Sequence, residues 1–242
     1  MKLFKQRLYL QVRDEILNII NTETEFMGQL PSEQDLSERM GVSRNTVREA
    51  IKTLENEGYV IARQGVGTFV IRNKSSIHTN LANLDSSTKI IANHGYTPGT
   101  QVIKTSVLAA TGRPAHELRL GEDERIFYLE RIRTADDKPV VLVKDYIPYV
   151  ENMEHRYREE QRESLLAFLE SFNQTVSLSV CDLSAVISDS AMMDKLKLSE
   201  PTALLQLSQT HHAATGQPIL YSDSFFLCSD FKFSVIRKAT GA

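Results

Sequence analysis

Residues 30–70 constrain the fold of this chain most, because two short helical patterns are joined there by a tight turn. Pro31 fits the first turn of a helix, where its missing N–H costs nothing. Ser32, three residues before Asp35, gives a capping-box-like start. Gly41 ends this helix, because glycine tolerates a positive φ. The pattern predicts a short helix that stops at Gly41.

A second helix follows directly, with Ser43 as its N-cap. Four apolar residues recur on it at helical spacing, and they need a core to face. The opposite face is polar and mostly basic, with Glu49 as the local acid. The apolar positions are Val47, Ala50, Ile51 and Leu54, and the polar face carries Arg44, Asn45, Arg48 and Lys52.

Two short strand patterns follow Gly58, which closes the second helix, and they flank a glycine-containing turn at 64–67. An α-helix fits the major groove of DNA, where arginine can pair bidentately with guanine. Glycine lets the backbone of a hairpin approach phosphates. A basic helix beside a glycine-tipped hairpin therefore predicts a winged helix-turn-helix that binds DNA.

This stretch resembles the DNA-binding domain of GntR-type bacterial transcription regulators, over roughly residues 5 to 72. The resemblance implies a role for residues at the start of the second helix and at the tip of the hairpin. Arg44 and Arg48 would contact bases and phosphates. The same resemblance places Ser43, Asn45 and Thr46 at the start of the recognition helix and Gln64 and Gly65 at the tip of the wing.

One position departs from the family pattern. Many relatives read PSERELS where this chain reads PSEQDLS, so Gln34 replaces an arginine that contacts DNA. This change bears on the strength of binding or on which base is read there. The alternative is that all these polar residues only form the solvent-exposed face of a helix. We favour DNA binding, because cap, turn, apolar stripe, basic face and wing coincide in register.

Length and charge indicate two domains. At 242 residues the chain can build two cores, and its net charge of −3 excludes a uniformly basic coat for nucleic acid. DNA affinity must then come from local clustering, helped by duplication in a dimer. The polar run at 73–80 lacks periodicity and is interpreted as a linker. We therefore divide the chain into a winged helix-turn-helix domain at 1–72, that linker, and a second domain at 81–242.

Cysteine usage and hydropathy indicate a cytoplasmic protein. Cys181 and Cys228 lie in apolar strand contexts without metal-ligand spacing, so we expect buried thiols in a reducing compartment. No apolar run approaches the roughly 20 residues that cross a bilayer. The amino terminus leads into an amphipathic helix and resembles no signal peptide. We expect no membrane association, no metal and no cofactor.

The second domain reads as an antiparallel sheet with a weak internal duplication. Six alternating runs between residues 101 and 226 are typical of strands. Residues 118–122 align with 196–200, and each copy runs helix, strand, turn, strand. Two such halves on one sheet leave a cleft between equivalent loops, which is a natural small-molecule site. The fold class predicted for the whole chain is α+β.

The second domain also resembles the UTRA effector domain of the HutC subfamily, which has a chorismate-lyase-like fold. Two runs carry the resemblance, RIRTADDKPVVLVKDYIP at 131–148 and THHAATGQPILYSDSFF at 210–226. The match covers about residues 81–238. It implies an effector-binding and dimerisation domain.

Arg131 and Arg133 share one face of a strand, and two guanidiniums there repel each other unless an anion or carboxylates lie between them. The resemblance assembles an anionic-effector pocket from these arginines and from hydroxyl groups at two helix starts, Ser87 with Thr88 and Ser164. The alternative is that both arginines pair with acidic residues of the chain itself. The candidates for such pairing are Glu130, Asp136 and Asp145.

Three further positions bear on the effector. Many sugar-phosphate-sensing relatives have glutamates where this chain has Val143 and Leu220, and a tyrosine where it has Phe226. Apolar side chains there cannot hold hydroxyls, which would lose hydrogen bonds worth on the order of 1–3 kcal/mol. The effector is then expected to be anionic but less hydroxylated, or bound in another pose.

These features predict a homodimeric transcription regulator, most simply a repressor. Two heads would bind a palindromic double-stranded operator, and a small anionic metabolite such as a sugar phosphate, or another phosphorylated or carboxylated compound, would control its affinity. One alternative is a constitutive dimeric DNA-binding protein whose second domain senses nothing. The other is a lyase-like enzyme, although residues 75–242 show no triad order, paired carboxylates or metal spacing.

Overall fold

A computed structural model describes residues 8–22, 28–63, 65–70, 77–81, 84–160 and 164–234. The described residues fall into two compact units. The first is drawn from 8–81, 93–95 and 231–234, and the second from 84–92 and 96–230. The division of the chain at 72 and 80 remains a prediction.

Three helices form the first unit's core, and their ends follow the caps read from the sequence. Ser32 and Asp35 complete a capping box at the start of the second helix, and Gly41 ends it at φ 63°. The buried stripe of the third helix packs against the first, as the spacing predicted. The helices are α1 (Leu8–Thr22), α2 (Glu33–Met40) and α3 (Arg44–Asn56).

The predicted wing is an antiparallel hairpin of β1 (Val60–Arg63) and β2 (Gly67–Val70). The segment before α2 also binds this hairpin, which the sequence did not indicate. The backbone N–H of Leu30 donates to the carbonyl of Thr68 at 2.7 Å, and the side-chain amide of Gln29 donates to the carbonyl of Val66 at 3.1 Å. These two hydrogen bonds fix the wing to the segment that leads into the helix-turn-helix.

Residues 77–80 are not irregular, although they were expected to belong to the linker. They form β3 (Ile77–Asn80), which pairs in parallel with β10 (Phe231–Ser234). Ile77 and Phe231 are paired in register, and both are buried. Residues 73–76 lie outside the described part of the chain. A parallel pair between distant segments leaves no local periodicity, which is why the sequence did not predict it.

The second unit is built on one six-stranded antiparallel sheet with the order β4-β5-β6-β9-β8-β7. All six predicted strands are present, with ends that differ from the predicted runs by a few residues. Their bounds are β4 (Pro98–Ala109), β5 (Arg125–Ala135), β6 (Lys138–Pro148), β7 (Leu178–Ile187), β8 (Ala203–His212) and β9 (Pro218–Leu227).

The strand order confirms the internal duplication, since each half runs strand, helix, strand, strand and the halves meet at β6 and β9. Arg119 and Lys197, 78 residues apart, both end a helix with a positive φ of 55° and 57°. Asp137 and Gly216 occupy equivalent turn positions, also with positive φ. The helices involved are α5 (Gly112–Leu118) and α8 (Ser190–Leu196).

Helices cover both faces of this sheet. On one face α5 packs against β9 and α8 against β6, so each half covers a strand of the other. On the opposite face an apolar cluster centred on Phe127 and Phe168 lies beneath two helices. The face that carries Arg131 and Arg133 is this second one. The helices there are α4 (Ser87–Ala92), α6 (Met153–Glu160) and α7 (Leu165–Glu170).

Candidate functional site

The first turn of α3 presents most of the residues predicted to contact DNA. The Ser43 hydroxyl accepts a hydrogen bond from the backbone N–H of Thr46 at 3.2 Å and lies 2.8 Å from the Thr46 hydroxyl. Arg44 and Asn45 are exposed, and Arg48 follows Arg44 by one helical turn on the same side. Two guanidiniums beside a helix N-terminus suit a phosphate-bearing partner.

A carboxylate that the sequence analysis did not single out holds Arg48. Its Nε and Nη2 atoms donate to the two carboxylate oxygens of Glu33 at 3.1 and 2.7 Å. The hydrogen bond from Arg48 lowers the pKa of Glu33, so this carboxylate is charged at neutral pH. The sequence position of Glu33 could have indicated this contact, because Glu33 is the first residue of α2 and α2 packs beside α3.

The two remaining positions of this surface are open to solvent. The amide of Gln34 donates to a carboxylate oxygen of Glu38 at 3.1 Å, on the exposed side of α2. Gly65 has φ 74°, and a Cβ added there would meet nothing within 4 Å. Gln64 lies outside the described residues.

Arg133 lies deep in the second unit, with 2% of its surface exposed. Its Nη2 atom donates to the hydroxyl of Thr88 at 2.5 Å, and its Nη1 atom donates to the hydroxyl of Thr100. Thr88 belongs to α4 and Thr100 to β4, so the guanidinium joins a helix to the sheet. Thr88 was predicted at this site. Thr100 was missed, because only the strand register brings it opposite Arg133.

Arg131 has a carboxylate partner within the chain. Its Nη2 atom donates to Asp145 Oδ2 at 2.6 Å, and both side chains are buried. The other oxygen of Asp145 accepts from the hydroxyl of Ser222 at 2.5 Å. Burial alone would lower the pKa of Arg131, but Asp145 and Tyr157 raise it above its usual value. This arginine is therefore a fixed, charged and partly neutralised group.

The other two candidate carboxylates are engaged elsewhere. Glu130 accepts from Lys195 at 2.6 Å, and Asp136 accepts from the backbone N–H of Thr97 at 2.7 Å. Internal pairing with a carboxylate is therefore seen for Arg131, whose partner is Asp145.

Strand register brings two of the three apolar substitutions to the arginines. Val143 pairs with Arg131 on one side and with Ser224 on the other. Phe226 lies two strands from Arg133 at the same level of the sheet. The surface near the arginines thus combines apolar side chains with hydroxyl groups, among them that of Ser224, which the sequence analysis did not name.

The remaining predicted residues lie further along the sheet or at helix starts. Leu220 is six residues from Phe226, about 20 Å along β9, and belongs to the apolar cluster around Phe168. Ser164 caps α7 by accepting from the backbone N–H of Ala167 at 3.4 Å. Ser87 opens α4 and is half-buried.

Histidine and cysteine side chains are the remaining candidates for metal binding or catalysis. No group of three or more His, Cys, Asp or Glu residues that could hold a metal occurs among the described residues. His211 is buried, and burial lowers its pKa to about 4. Both cysteines are free thiols, but Cys228 is exposed and Cys181 only half-buried, so the expected burial of both was wrong. Cys228 lies just beyond the end of β9.

Both units match models of known protein families. Residues 7–70 match the model described as bacterial regulatory proteins, gntR family, and residues 93–232 match that of the UTRA domain. This chain belongs to the gntR family of bacterial regulatory proteins. The predicted HutC-type combination of a winged head with a UTRA domain is thereby confirmed, as is the α+β fold class.

Two curated relatives of this gntR-family protein are named as repressors. The HTH-type transcriptional repressor NagR of Bacillus subtilis (strain 168) is 34% identical over 143 residues, which are 59% of this chain and 58% of NagR. The mannosyl-D-glycerate transport/metabolism system repressor MngR of Escherichia coli (strain K12) is 23% identical over 96% of both chains. The chain thus matches little more than half the length of NagR.

Solved structures share the fold of this gntR-family protein. The possible transcriptional regulator YydK from Bacillus subtilis superposes with a TM-score of 0.68 at 22% identity, covering 96% of this chain and all of YydK. PhnF from Mycobacterium smegmatis superposes with a TM-score of 0.61 at 23% identity, covering 95% and 100%. None of the helices in the described part of the chain is long and apolar enough to cross a membrane.

Proposed function

We propose that this protein is a sequence-specific DNA-binding repressor of transcription whose operator affinity a small anionic metabolite controls. The observation that carries the proposal is the exposed, capped start of α3 with Arg44 and Arg48, set beside a glycine-tipped wing in a gntR-type head. We propose repression rather than activation because NagR and MngR are both named as repressors. Such a regulator acts on the chromosome and therefore in the cytoplasm.

Two heads in a homodimer would bind the two halves of a palindrome. One head buries only a small part of the contact area of a specific complex, and an isologous dimer doubles it with matching symmetry. The recognition helix enters the major groove, with Arg44 and Arg48 reaching bases and phosphates. The wing tip, at Gln64 and Gly65, approaches the neighbouring backbone.

DNA binding is tested by selecting duplexes from a random library and measuring their affinity for variants. Arg44→Ala is expected to weaken the selected duplex by ~1–3 kcal/mol for each base pair that it reads. Lys52→Ala removes a positive charge from the same helix, two turns further on, and is the matched control. Equal losses in both variants, or no selected sequence at all, would contradict the proposal.

The effector site is proposed at Arg131 and Arg133, with Thr88, Ser87 and Ser164 as hydroxyl donors. Two guanidiniums share one face of β5, with Asp145 bound to Arg131 and the Thr88 hydroxyl bound to Arg133, and guanidiniums of this kind suit a phosphate or carboxylate. Val143 and Phe226 offer no hydrogen bonds to sugar hydroxyls. The name of MngR refers to a glycerate, which carries a carboxylate.

A thermal-shift panel of phosphorylated and carboxylated metabolites tests this site. We expect stabilisation by a weakly hydroxylated anion and none by amino-sugar phosphates. Arg133→Ala should abolish the shift while DNA binding persists. Stabilisation by an amino-sugar phosphate at micromolar concentration would contradict the assignment of ligand class.

A second candidate function, a constitutive dimeric DNA-binding protein, is favoured by one observation. Asp145 already neutralises Arg131, as in a structural ion pair of the sheet. Under this alternative no metabolite of the panel shifts the melting temperature, and Arg133→Ala leaves regulation unchanged. An enzymatic role has no comparable support, since the family and the named relatives are regulators.

A further inference from the structure

A cavity of about 270 Å³ lies on the face of the sheet opposite Arg131 and Arg133, between α5 and the outer strands β7 and β8. Its floor is formed by Ser208, Thr210 and Tyr221, whose side chains lie on the α5 side of the sheet. The proposed effector site uses none of these three residues. We call this space the α5 cavity.

The internal duplication shows that the floor of this cavity need not be polar. Counted from the equivalent helix ends and turns, Thr210 corresponds to Ile132 and Tyr221 corresponds to Leu142. Ile132 and Leu142 belong to the apolar cluster beneath α8, so core side chains fill the same place in the other half. The polar floor is therefore a property of one half alone and is not required by the fold.

Arg113 of α5 approaches two carboxylates at the α5 cavity without binding either closely. Its guanidinium lies over the ring of Tyr221, 5.6 Å from the ring centroid. It is 3.7 Å from a carboxylate oxygen of Glu117 and 3.6 Å from one of Asp182 on β7. Charge-assisted hydrogen bonds of this type are about 2.7–2.9 Å long. Charges of both signs therefore lie close together here without a close ion pair.

The α5 cavity is also lined by polar groups that have no partner. The side chains of His116 and Arg119 form no ion pair or hydrogen bond with the described residues. The Nδ1 atom of His212 is buried and also lacks a hydrogen-bond partner among them. A buried polar atom without a partner costs free energy, which a bound polar group recovers. These three side chains suit an oxygen-bearing group of a ligand.

We propose that the α5 cavity binds a free α-amino acid whose side chain ends in a carboxyl or carboxamide group. The α-carboxylate binds Arg113 and the α-ammonium binds Asp182, so that two close ion pairs replace one loose pair. The side chain of the ligand extends over Thr210 towards Arg119 and His212. This second ligand goes beyond the proposed function, because the effector site lies on the other face of the sheet.

The charges of the α5 cavity select a ligand that carries both signs. A simple anion would meet Glu117 and Asp182, and a simple cation would meet Arg113 and Arg119, so two side chains would repel each of them. A dipolar ligand meets each sign with its opposite. The volume of about 270 Å³ is below the ~300–1,000 Å³ of pockets for drug-sized ligands and suits a molecule as small as an amino acid.

Calorimetric titration of the full chain tests the class of ligand. We expect L-glutamate or L-glutamine to bind. Three analogues of L-glutamate each lack one group: glutarate lacks the ammonium, 4-aminobutanoate lacks the α-carboxylate, and L-norvaline lacks the side-chain carboxylate. Each analogue should bind at least roughly 10-fold more weakly, which is the scale of one lost charged hydrogen bond. Glutarate that binds as tightly as L-glutamate, or binding by neither amino acid, would overturn the proposal.

Two arginine variants and a matched control locate the site. Arg113→Gln and Arg119→Gln should each weaken binding of the amino acid at least roughly 10-fold. Lys197→Gln changes the position of the other half that is equivalent to Arg119 and should leave the affinity unchanged. All three side chains are exposed, and equal melting temperatures check that the variants fold. Equal losses in all three variants, or no loss in either arginine variant, would contradict the site.

A further variant separates this site from the effector site. An affinity for the amino acid that is lost in Arg133→Ala but kept in Arg113→Gln would place the ligand beside Arg133. That result would overturn this inference and leave the proposed function standing.

Discussion

Glu33 gives the DNA-binding surface a negative charge beside one of its two arginines. The bidentate pair fixes the direction of Arg48 but opposes the approach of phosphates. We therefore propose that Glu33 would weaken binding to DNA of any sequence and leave Arg48 to bind DNA at a site that fits.

We expect Glu33→Gln to strengthen binding to random-sequence DNA by roughly 2- to 5-fold, the scale of an exposed ion pair. Affinity for the selected operator should rise less, so the specificity ratio should fall. Fluorescence anisotropy at several salt concentrations measures both. Glu122→Gln, at an exposed position of the second unit, is the control. An unchanged ratio in Glu33→Gln would assign Glu33 a purely structural role.

Buried His211 makes stability depend on pH. Burial lowers its pKa to about 4, so between pH 6.5 and 4 the unfolded chain binds a proton that the folded chain does not. Asp145 partly opposes this shift and His212 adds to it. The free energy of unfolding should fall by about 2 kcal/mol from this residue between pH 7 and pH 5.

Urea unfolding at the two pH values measures this dependence. His211→Gln should remove it, while His155→Gln, at an exposed helix position, should retain it. A wild-type stability equal at both pH values would show that His211 is protonated or solvated in the folded state.

Helix ends were the elements best predicted from sequence, because caps act locally. Ser32 with Asp35, Gly41 and Ser43 each specified a boundary that the structure has. The strands of the sheet followed from alternation, and their order followed in part from the duplication. β3 and β10 were not predicted, since their pairing depends on a partner some 150 residues away.

The candidate site was predicted less completely for the same reason. Arg131 and Arg133 could be predicted as a pair from the sequence, because they are two residues apart on one strand. Thr100 and Ser224 reach them only through strand register, which a single sequence does not fix, and register also selects Asp145 from the three predicted carboxylates.

The cap of α3 combines stability with recognition, and a substitution separates the two. Ser43→Ala should cost about 1 kcal/mol of stability and also weaken operator binding, since the helix start would fray. Asp189→Ala removes the cap of α8, where Asp189 accepts from the backbone N–H of Met192 at 2.7 Å. It should cost a similar amount and leave DNA affinity unchanged. Thermal melts and anisotropy measure both, and equal effects on DNA would refute a recognition role for Ser43.

For the whole molecule, we propose that the β3–β10 ladder takes part in communicating ligand binding. β10 follows β9, which carries Phe226 near the arginines, and β3 is the second half of the segment predicted as linker. A ligand changes DNA affinity only through a difference in its affinity for two arrangements of the chain.

We therefore expect Phe231→Ala to weaken the coupling between the sites, measured as the ratio of operator affinities with and without the effector. Each binding reaction alone should change less than this ratio. Lys232→Ala, an exposed neighbour on the same strand, is the control. An unchanged ratio in Phe231→Ala would exclude the ladder from communication.

Because α5 rests on β9 and α8 rests on β6, each copy of the duplicated motif buries part of its apolar surface on the other. In a chain cut after Glu160, the two parts of the sheet should therefore stay unfolded apart and regain the native sheet on mixing, while the helix-turn-helix keeps its own core. The exchange of helices between the two halves makes each half of the second unit depend on the other for folding, although both belong to one chain.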